Sequence, residues 1–429
     1  MNTNLSPGKR NLRSRVTWLA YASLLPIVVG LWAGCSYLFA QRVAARQLDD
    51  YLREHPADDA WMENRYRETT ETAGTAAWSQ ILMLCKSPKG WDDSQLPIVG
   101  QGELPSLPLK ERTAWREEAS VAAYLDAMRP VLDLIYASSD VPKPVWQPLQ
   151  FRGVNTLLPH LQSARSVARL LQLEAVHASY HGDGPRTMAA IKGLKATAEV
   201  FDLNLFLVGE LIHVALLYME YVAIEQSLSA GLWNAQQLVE LRGLLEQPIP
   251  IAEKWTKSLE TEAHFATSLD ALLPGMGILL SPRDRLTFFK EYRSIRTLGD
   301  APMEQLSQRA GQWEAGILAS EDVGRQRNTA VQMAHANVTP AVRQYAVALK
   351  LIEYRRRLTL TAVALQQFKL AKGNWPVRLA ELEEVGLSAD VWSIPSVGSF
   401  ELEQKDGKVI VAANFANYTP EQLKPIELW

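Results

Sequence analysis

Residues 157–180, LLPHLQSARSVARLLQLEAVHASY, set apolar side chains three and four positions apart along most of their length. That is the period of a helix with one face turned to a core. The following His181-Gly182-Asp183-Gly184-Pro185 stops the pattern, because glycine accepts a terminating turn and Pro185 suits the first turn of a new helix. Helical patterning resumes from Arg186 to Phe201, from about Leu205 to Ser229, and from Asn234 to Glu246, where Pro248 and Pro250 end it. Connections this short favour antiparallel neighbours, so the middle of the chain reads as helical hairpins.

Upstream, Val16 to Ala40 reads VTWLAYASLLPIVVGLWAGCSYLFA without a charge, and Lys9, Arg10, Arg13 and Arg15 precede it. About 20 apolar helical residues cross a hydrocarbon core of about 30 Å. Trp18, Tyr21, Trp32 and Tyr37 suit the interfaces, and a spanning helix tolerates Pro26. The basic flank places the N-terminus in the cytoplasm and the remainder outside it. In a bacterial-type cell this is a single-pass inner-membrane protein with a periplasmic body. Gly34-Cys35 leaves open a lipidated cysteine, although the bulky Trp32 and the apolar residues after Cys35 fit continued burial better.

The expected organisation is mainly α, in six parts. A cytoplasmic tail (1–15) and a transmembrane helix (16–40) are followed by a helical stalk (41–85) and a Pro-rich linker (86–110). A helical domain (111–370), either an irregular hairpin array or a bundle, leads to a small α+β module (371–429) packed on the long helix before it. Pro130 should divide the helix expected over Leu109 to Ala137, and Thr339-Pro340 should start the long one. Leu272 to Leu280 reads as an apolar loop. Alternation around Lys405-Asp406-Gly407-Lys408 gives a hairpin signal.

Two resemblances follow from these residues. AVHASYHGDGPRTMAAIKGLKATAEVF resembles a tetratricopeptide-like hairpin, without a repeated period. Gly373, Pro376, Leu379, Leu382 and Gly386, with the hairpin about Asp406-Gly407, resemble the C-terminal module of type II secretion major pseudopilins over Val342 to Asn414. In pseudopilins the long helix is itself the membrane helix. Here it lies far downstream of one, which speaks against filament assembly through it. The layout is similar to membrane-anchored helical envelope proteins of planctomycete-like bacteria. That resemblance implies an address and a shape, and no reaction.

A formal net charge of −3 argues against general nucleic-acid binding. Two cysteines, Cys35 and Cys85, exclude a disulfide scaffold, and Cys85 in WSQILMLC reads as a buried thiol. No Gly-x-Ser-x-Gly elbow, Walker loop, Gly-x-Gly-x-x-Gly or His-Glu-x-x-His occurs, so no cofactor is expected. Metal-ligand spacing occurs twice. Glu174 and His177, with His181 one turn on, share a helix face, as do Glu210 and His213. Glu199, Glu225 or Glu262 could complete a carboxylate-rich metal site between helices. Hydrogen-bonded core histidines are the plainer reading. Glu210, Glu220 and Glu225 sit in an otherwise apolar helix and need cations, with Arg165, Arg169, Lys192 or Lys195 as candidates. Lys350, Arg355, Arg356 and Arg357 fit a solvated face or internal ion pairs, with an anionic partner as the alternative.

The function expected first is a membrane-anchored interaction or scaffold protein, with envelope proteins as partners, the bilayer engaged through 16–40, and self-association open. The alternative is an envelope enzyme using Glu174, His177, Glu210 and His213 in a helical cleft, with or without a metal.

Overall fold

The computed structural model describes residues 7–54, 74–88, 91–140, 158, 160–200, 207–267, 281–323, 329–395, 397–405, 407–415, 418 and 422–429, with the side chains of the first helix described from Gly30 onward. Helices dominate: α1 (Pro7–Glu54), α2 (Thr75–Leu84), α3 (Glu118–Ala127), α4 (Arg129–Ser138), α5 (His160–His181), α6 (Gly184–Val200), α7 (Leu207–Leu228), α8 (Ala235–Leu245), α9 (Ile251–Thr267), α10 (Pro282–Arg296), α11 (Met303–Val323), α12 (Thr329–Lys372) and α13 (Ala389–Trp392). An open antiparallel sheet closes the chain in the order β1 (Ser393–Ile394), β2 (Gly398–Lys405), β3 (Lys408–Phe415) and β4 (Ile426–Leu428).

The hairpin at 157–200 forms as its pattern requires. Gly182 ends α5 at φ +75°, and Asp183 Oδ1 accepts from the Arg186 N–H at 3.0 Å to cap α6. Gly193 lets α5 and α6 close up, since a Cβ there would come within 2.9 Å of Leu171. Helix α8 starts on a capping box in which Asn234 and Gln237 exchange bonds. Pro130 lies in the first turn of α4, so α3 and α4 divide at Met128.

Two hydrophobic cores result. The larger gathers α2 to α8, the C-terminal half of α12 and the sheet. The smaller joins Leu48 of α1 and Leu207 of α7 to α9, α10, α11 and the N-terminal half of α12. Helix α12 is common to both. It starts at Thr329, earlier than expected, and holds Pro340 inside it. Thr339 Oγ1 is buried without a hydrogen-bond partner, so it does not cap. An internal proline costs about 3 kcal/mol. The buried Val342, Tyr345, Ala346 and Leu349 directly after it offset that cost.

Other boundaries also shift. The expected stalk (41–85) is shorter, because α2 buries Trp78, Ile81 and Leu82 in the larger core. The expected linker (86–110) contributes Leu96 and Leu109 to the interior. The tail holds a four-stranded sheet where a hairpin was expected. The hairpin itself is β2–β3, with Lys405 opposite Lys408 and Gly407 at φ +76°. Phe400, Val409, Val411, Phe415, Ile426 and Leu428 are buried positions of the sheet, and the Tyr354 ring of α12 packs at a tilt 4.9 Å from Phe415. Asp406, the loop 272–280 and the prolines at 142, 144 and 148 lie outside the described residues.

Among the described residues one helix is long and apolar enough to cross a membrane, and it is α7. It packs in the core against α5, α6 and α12 and buries Glu210, His213, Glu220 and Glu225. Helix α1 runs unbroken through 16–40 and presents Leu31, Trp32, Tyr37, Leu38 and Phe39, all more than 60% exposed.

The arginine run on α12 forms internal ion pairs. Arg356 donates twice to buried Glu353 at 2.7 Å, and Arg357 donates at 2.9 Å. Removing one side of a buried ion pair costs about 3–5 kcal/mol. Glu353→Ala should therefore lower the unfolding free energy of the full-length chain by that order in urea titration. Lys192→Ala, which breaks a half-exposed pair with Glu240, should cost about 1 kcal/mol or less. Equal losses would contradict this assignment.

Candidate metal site

The segment after Leu109 is stitched to the ends of α5 and α7. The Leu109 N–H donates to Ser229 Oγ, the Lys110 N–H to the Ser229 carbonyl, Arg112 to the His181 carbonyl, and the Tyr180 hydroxyl to the Thr113 carbonyl. This fixes the first turn of α3 beside the last turn of α5. Glu118 is in the former, and His177 and His181 are stacked one turn apart in the latter.

Glu118, His177 and His181 offer ligand atoms all within 4.8 Å of one another. Glu118 Oε1 lies 3.1 Å from His181 Nε2 and 3.5 Å from His177 Nε2. Tetrahedral zinc with bonds of about 2.0–2.1 Å separates its ligand atoms by about 3.3 Å, so these two edges are already near bonding length. His177 is 6% exposed, and neither ring nitrogen has a hydrogen-bond partner. A buried polar atom left unpaired costs about 1–3 kcal/mol, which a metal at Nε2 would relieve. Burial, then Arg186 and His181, hold the His177 pKa below the usual imidazole range. The ring is therefore neutral at physiological pH, the form that binds metal. Trp115 and Tyr180 wall the cluster, with ring centres 6.2 Å from His177 and 5.3 Å from His181 respectively. His181 and Glu118 keep it open to solvent.

The four residues nominated from the sequence are distributed differently. His177 joins the cluster, and Glu174 does not. The Glu174 carboxylate is fully buried and taken by Arg186 (2.5 and 2.6 Å), Arg129 (3.0 Å) and Tyr136 (3.1 Å). Burial pushes its pKa up, but the two arginines outweigh that and hold it low. Glu210 and His213 meet the buried Lys254 ammonium at 3.4 and 3.1 Å. A fixed cation there repels a second one. Of the further carboxylates, Glu225 is held by Arg355 and Thr359, Glu199 lines a cavity of about 420 Å³ beside His213, and Glu262 accepts from the Leu207 backbone. The sequence offered no local signal for Glu118 as a ligand, since it lies 63 residues from His181. Cys85 is buried, and burial pushes its thiol up to about 12, so it is an inert core residue.

Glu220 is a further buried ionisable group without a hydrogen-bond partner. It is fully buried, and neither carboxylate oxygen has a hydrogen-bond partner. Burial raises its pKa from 4.5 to about 7, with Lys195 pulling the other way. The folded state thus holds an extra proton between these values, so its stability is full below 4.5 and falls as pH rises through about 7. Glu220→Gln should match the wild type at pH 4 and exceed its unfolding free energy at pH 8, by up to about 3 kcal/mol. A pH-independent difference between the two in denaturant titrations would refute the assignment.

No family model, curated protein or solved structure matches this chain.

Proposed function

We propose that the chain is a membrane-anchored helical protein of the cell envelope whose body binds a transition-metal ion of the zinc class through Glu118, His177 and His181. The observation that carries this reading is the buried His177, whose Nε2 lies 3.5 Å from Glu118 Oε1, within a cluster whose ligand atoms are all within 4.8 Å of one another, and has no hydrogen-bond partner. Three protein ligands with solvent access leave a fourth position for water. That is the pattern of catalytic zinc sites, whereas structural sites are closed by four protein ligands. The ion would supply Lewis acidity to that water. The side chains hold the ion and, through Trp115 and Tyr180, shape one side of the opening.

The anchor reading rests on the uncharged Val16 to Ala40, its basic flank, and the exposed apolar surface of α1. The flank puts the body outside the cytoplasm. A metal site with a defined ligand set takes precedence over the scaffold reading, which rests on helical architecture alone.

Full-length protein in detergent should retain about one equivalent of Zn²⁺ after dialysis, measured by elemental analysis. Co²⁺ should give the visible absorption of a low-coordinate site. His177→Ala and His181→Ala should each weaken binding by at least about tenfold, and Glu118→Gln by a comparable factor. Acidification should release the ion, because protons compete with the metal for its ligands. Wild-type affinity in His177→Ala would sink the assignment.

A further inference from the structure

The outward face of α7 carries the strongest unassigned feature. A helix packed on a core normally turns charged or polar residues to solvent. Helix α7 instead turns out Val208, Leu211, Val214, Ala215, Tyr218 and Met219, and Val208 and Tyr218 are 50% and 45% exposed. With Leu351 and Ile352 of α12 and Leu423 before β4, the side chains from Leu211 to Met219 on this face line a groove of about 620 Å³. That volume suits a bound organic ligand.

Arginines rim this apolar floor. Arg165 and Arg169 stand one turn apart on α5 and line the groove, and neither pairs with an acidic side chain among the described residues. Arg355 lines it from α12, packed against Tyr218 at 6.0 Å. Its terminal nitrogens are engaged by Glu225 and the Lys424 carbonyl, but its buried Nε–H finds no acceptor. Among the described residues, no acidic side chain lines the groove. The place therefore combines an apolar trough with a cationic edge and an unused buried donor.

Its position selects the occupant. Leu211 and Val214 also pack against the smaller core, which contains Leu48, Tyr51 and Leu52 of α1. Leu48 lies eight residues beyond Ala40, or about 12 Å along the helix. The groove thus opens at the end of the body nearest the anchor.

We infer that this groove binds a membrane lipid with an acidic head, its acyl chain lying along α7 and its oxyanion held by Arg165 and Arg169. The position argument rests on the anchor reading, and the experiment separates the two. Full-length protein is placed in phosphatidylcholine nanodiscs doped with a phosphatidic acid that carries a diazirine in its acyl chain. After illumination, adducts are mapped by mass spectrometry.

Adducts are expected on α7 between Leu211 and Met219 or on α12 between Ala348 and Ile352. The double variant Arg165→Gln/Arg169→Gln should lower their yield by about tenfold, the effect of losing charge-assisted bonds. Diazirine-bearing phosphatidylcholine should label the groove equally poorly. Ala215→Trp should abolish groove adducts by filling the trough while leaving those on 16–40 unchanged. Circular dichroism and melting confirm that each variant is folded.

Adducts confined to 16–40 would overturn the groove assignment and leave the anchor standing. Equal labelling by the zwitterionic lipid would overturn it too, as would full displacement by inorganic phosphate, which marks a free-anion site. Groove adducts without adducts on 16–40 would support the lipid site and overturn the anchor.

Discussion

Burial of carboxylates on one apolar helix is the constraint around which this protein is arranged. Helix α7 carries Glu210, Glu220 and Glu225 into the interior. An isolated ionised carboxylate in such a place costs several kcal/mol, so each must meet a cation or take up a proton. Glu210 meets Lys254 from α9, and Glu225 meets Arg355 from α12. Both partners are themselves buried. A slip of either helix along α7 would strand two charges at once, so the ion pairs fix the helices in register. Glu220 has only the field of Lys195 and answers by holding its proton up to about pH 7.

The same logic repeats away from α7. Glu174 ties α4, α5 and α6 together through Arg129 and Arg186, and Glu353 pulls Arg356 and Arg357 back along α12. Arg356 also donates to the Leu245 carbonyl and so satisfies the end of α8. These pairs add little net stability compared with apolar packing of the same shape. Their effect is selective: they penalise alternative packings of helices whose apolar surfaces are otherwise interchangeable.

Helix boundaries in the hairpin region were legible because the glycines, prolines and caps there act locally. Gly182, Pro185, Asn234 and Pro130 each impose their geometry on their own neighbours. The start of α12 was not legible, because Pro340 reads as a first-turn residue and only tertiary burial of Val342 to Leu349 offsets its cost. Lys195, a candidate from the sequence, does act on Glu220, but the partners of Glu210 and Glu225 were misplaced for a related reason. Candidates were sought on the adjoining helices, but Lys254 and Arg355 arrive from distant segments. Two of the three metal-cluster residues were legible, since His177 and His181 are one turn apart. Glu118 carried no such spacing signal, because it reaches the site from another helix. Glu174 shares the face of His177 by spacing, yet Arg186 claims it, and spacing alone cannot distinguish those outcomes.

The two proposed sites lie towards opposite ends of α5. Arg165 and Arg169 are near its N-terminus, and His177 and His181 are in its last turn, so from Arg169 to His181 the helix rises about 18 Å. Helices α5 and α7 run in the same direction, because α6 returns between them. The groove therefore shares one end of the body with Leu207 and Leu48, while the metal cluster shares the other end with Ser229. With the proposed anchor at 16–40, an apolar ligand would meet the end nearest the bilayer, and a hydrated ion would meet the opposite end. Each environment suits the desolvation its ligand requires: the trough gains by covering apolar surface, and the cluster exchanges bound water for two neutral imidazoles and a carboxylate.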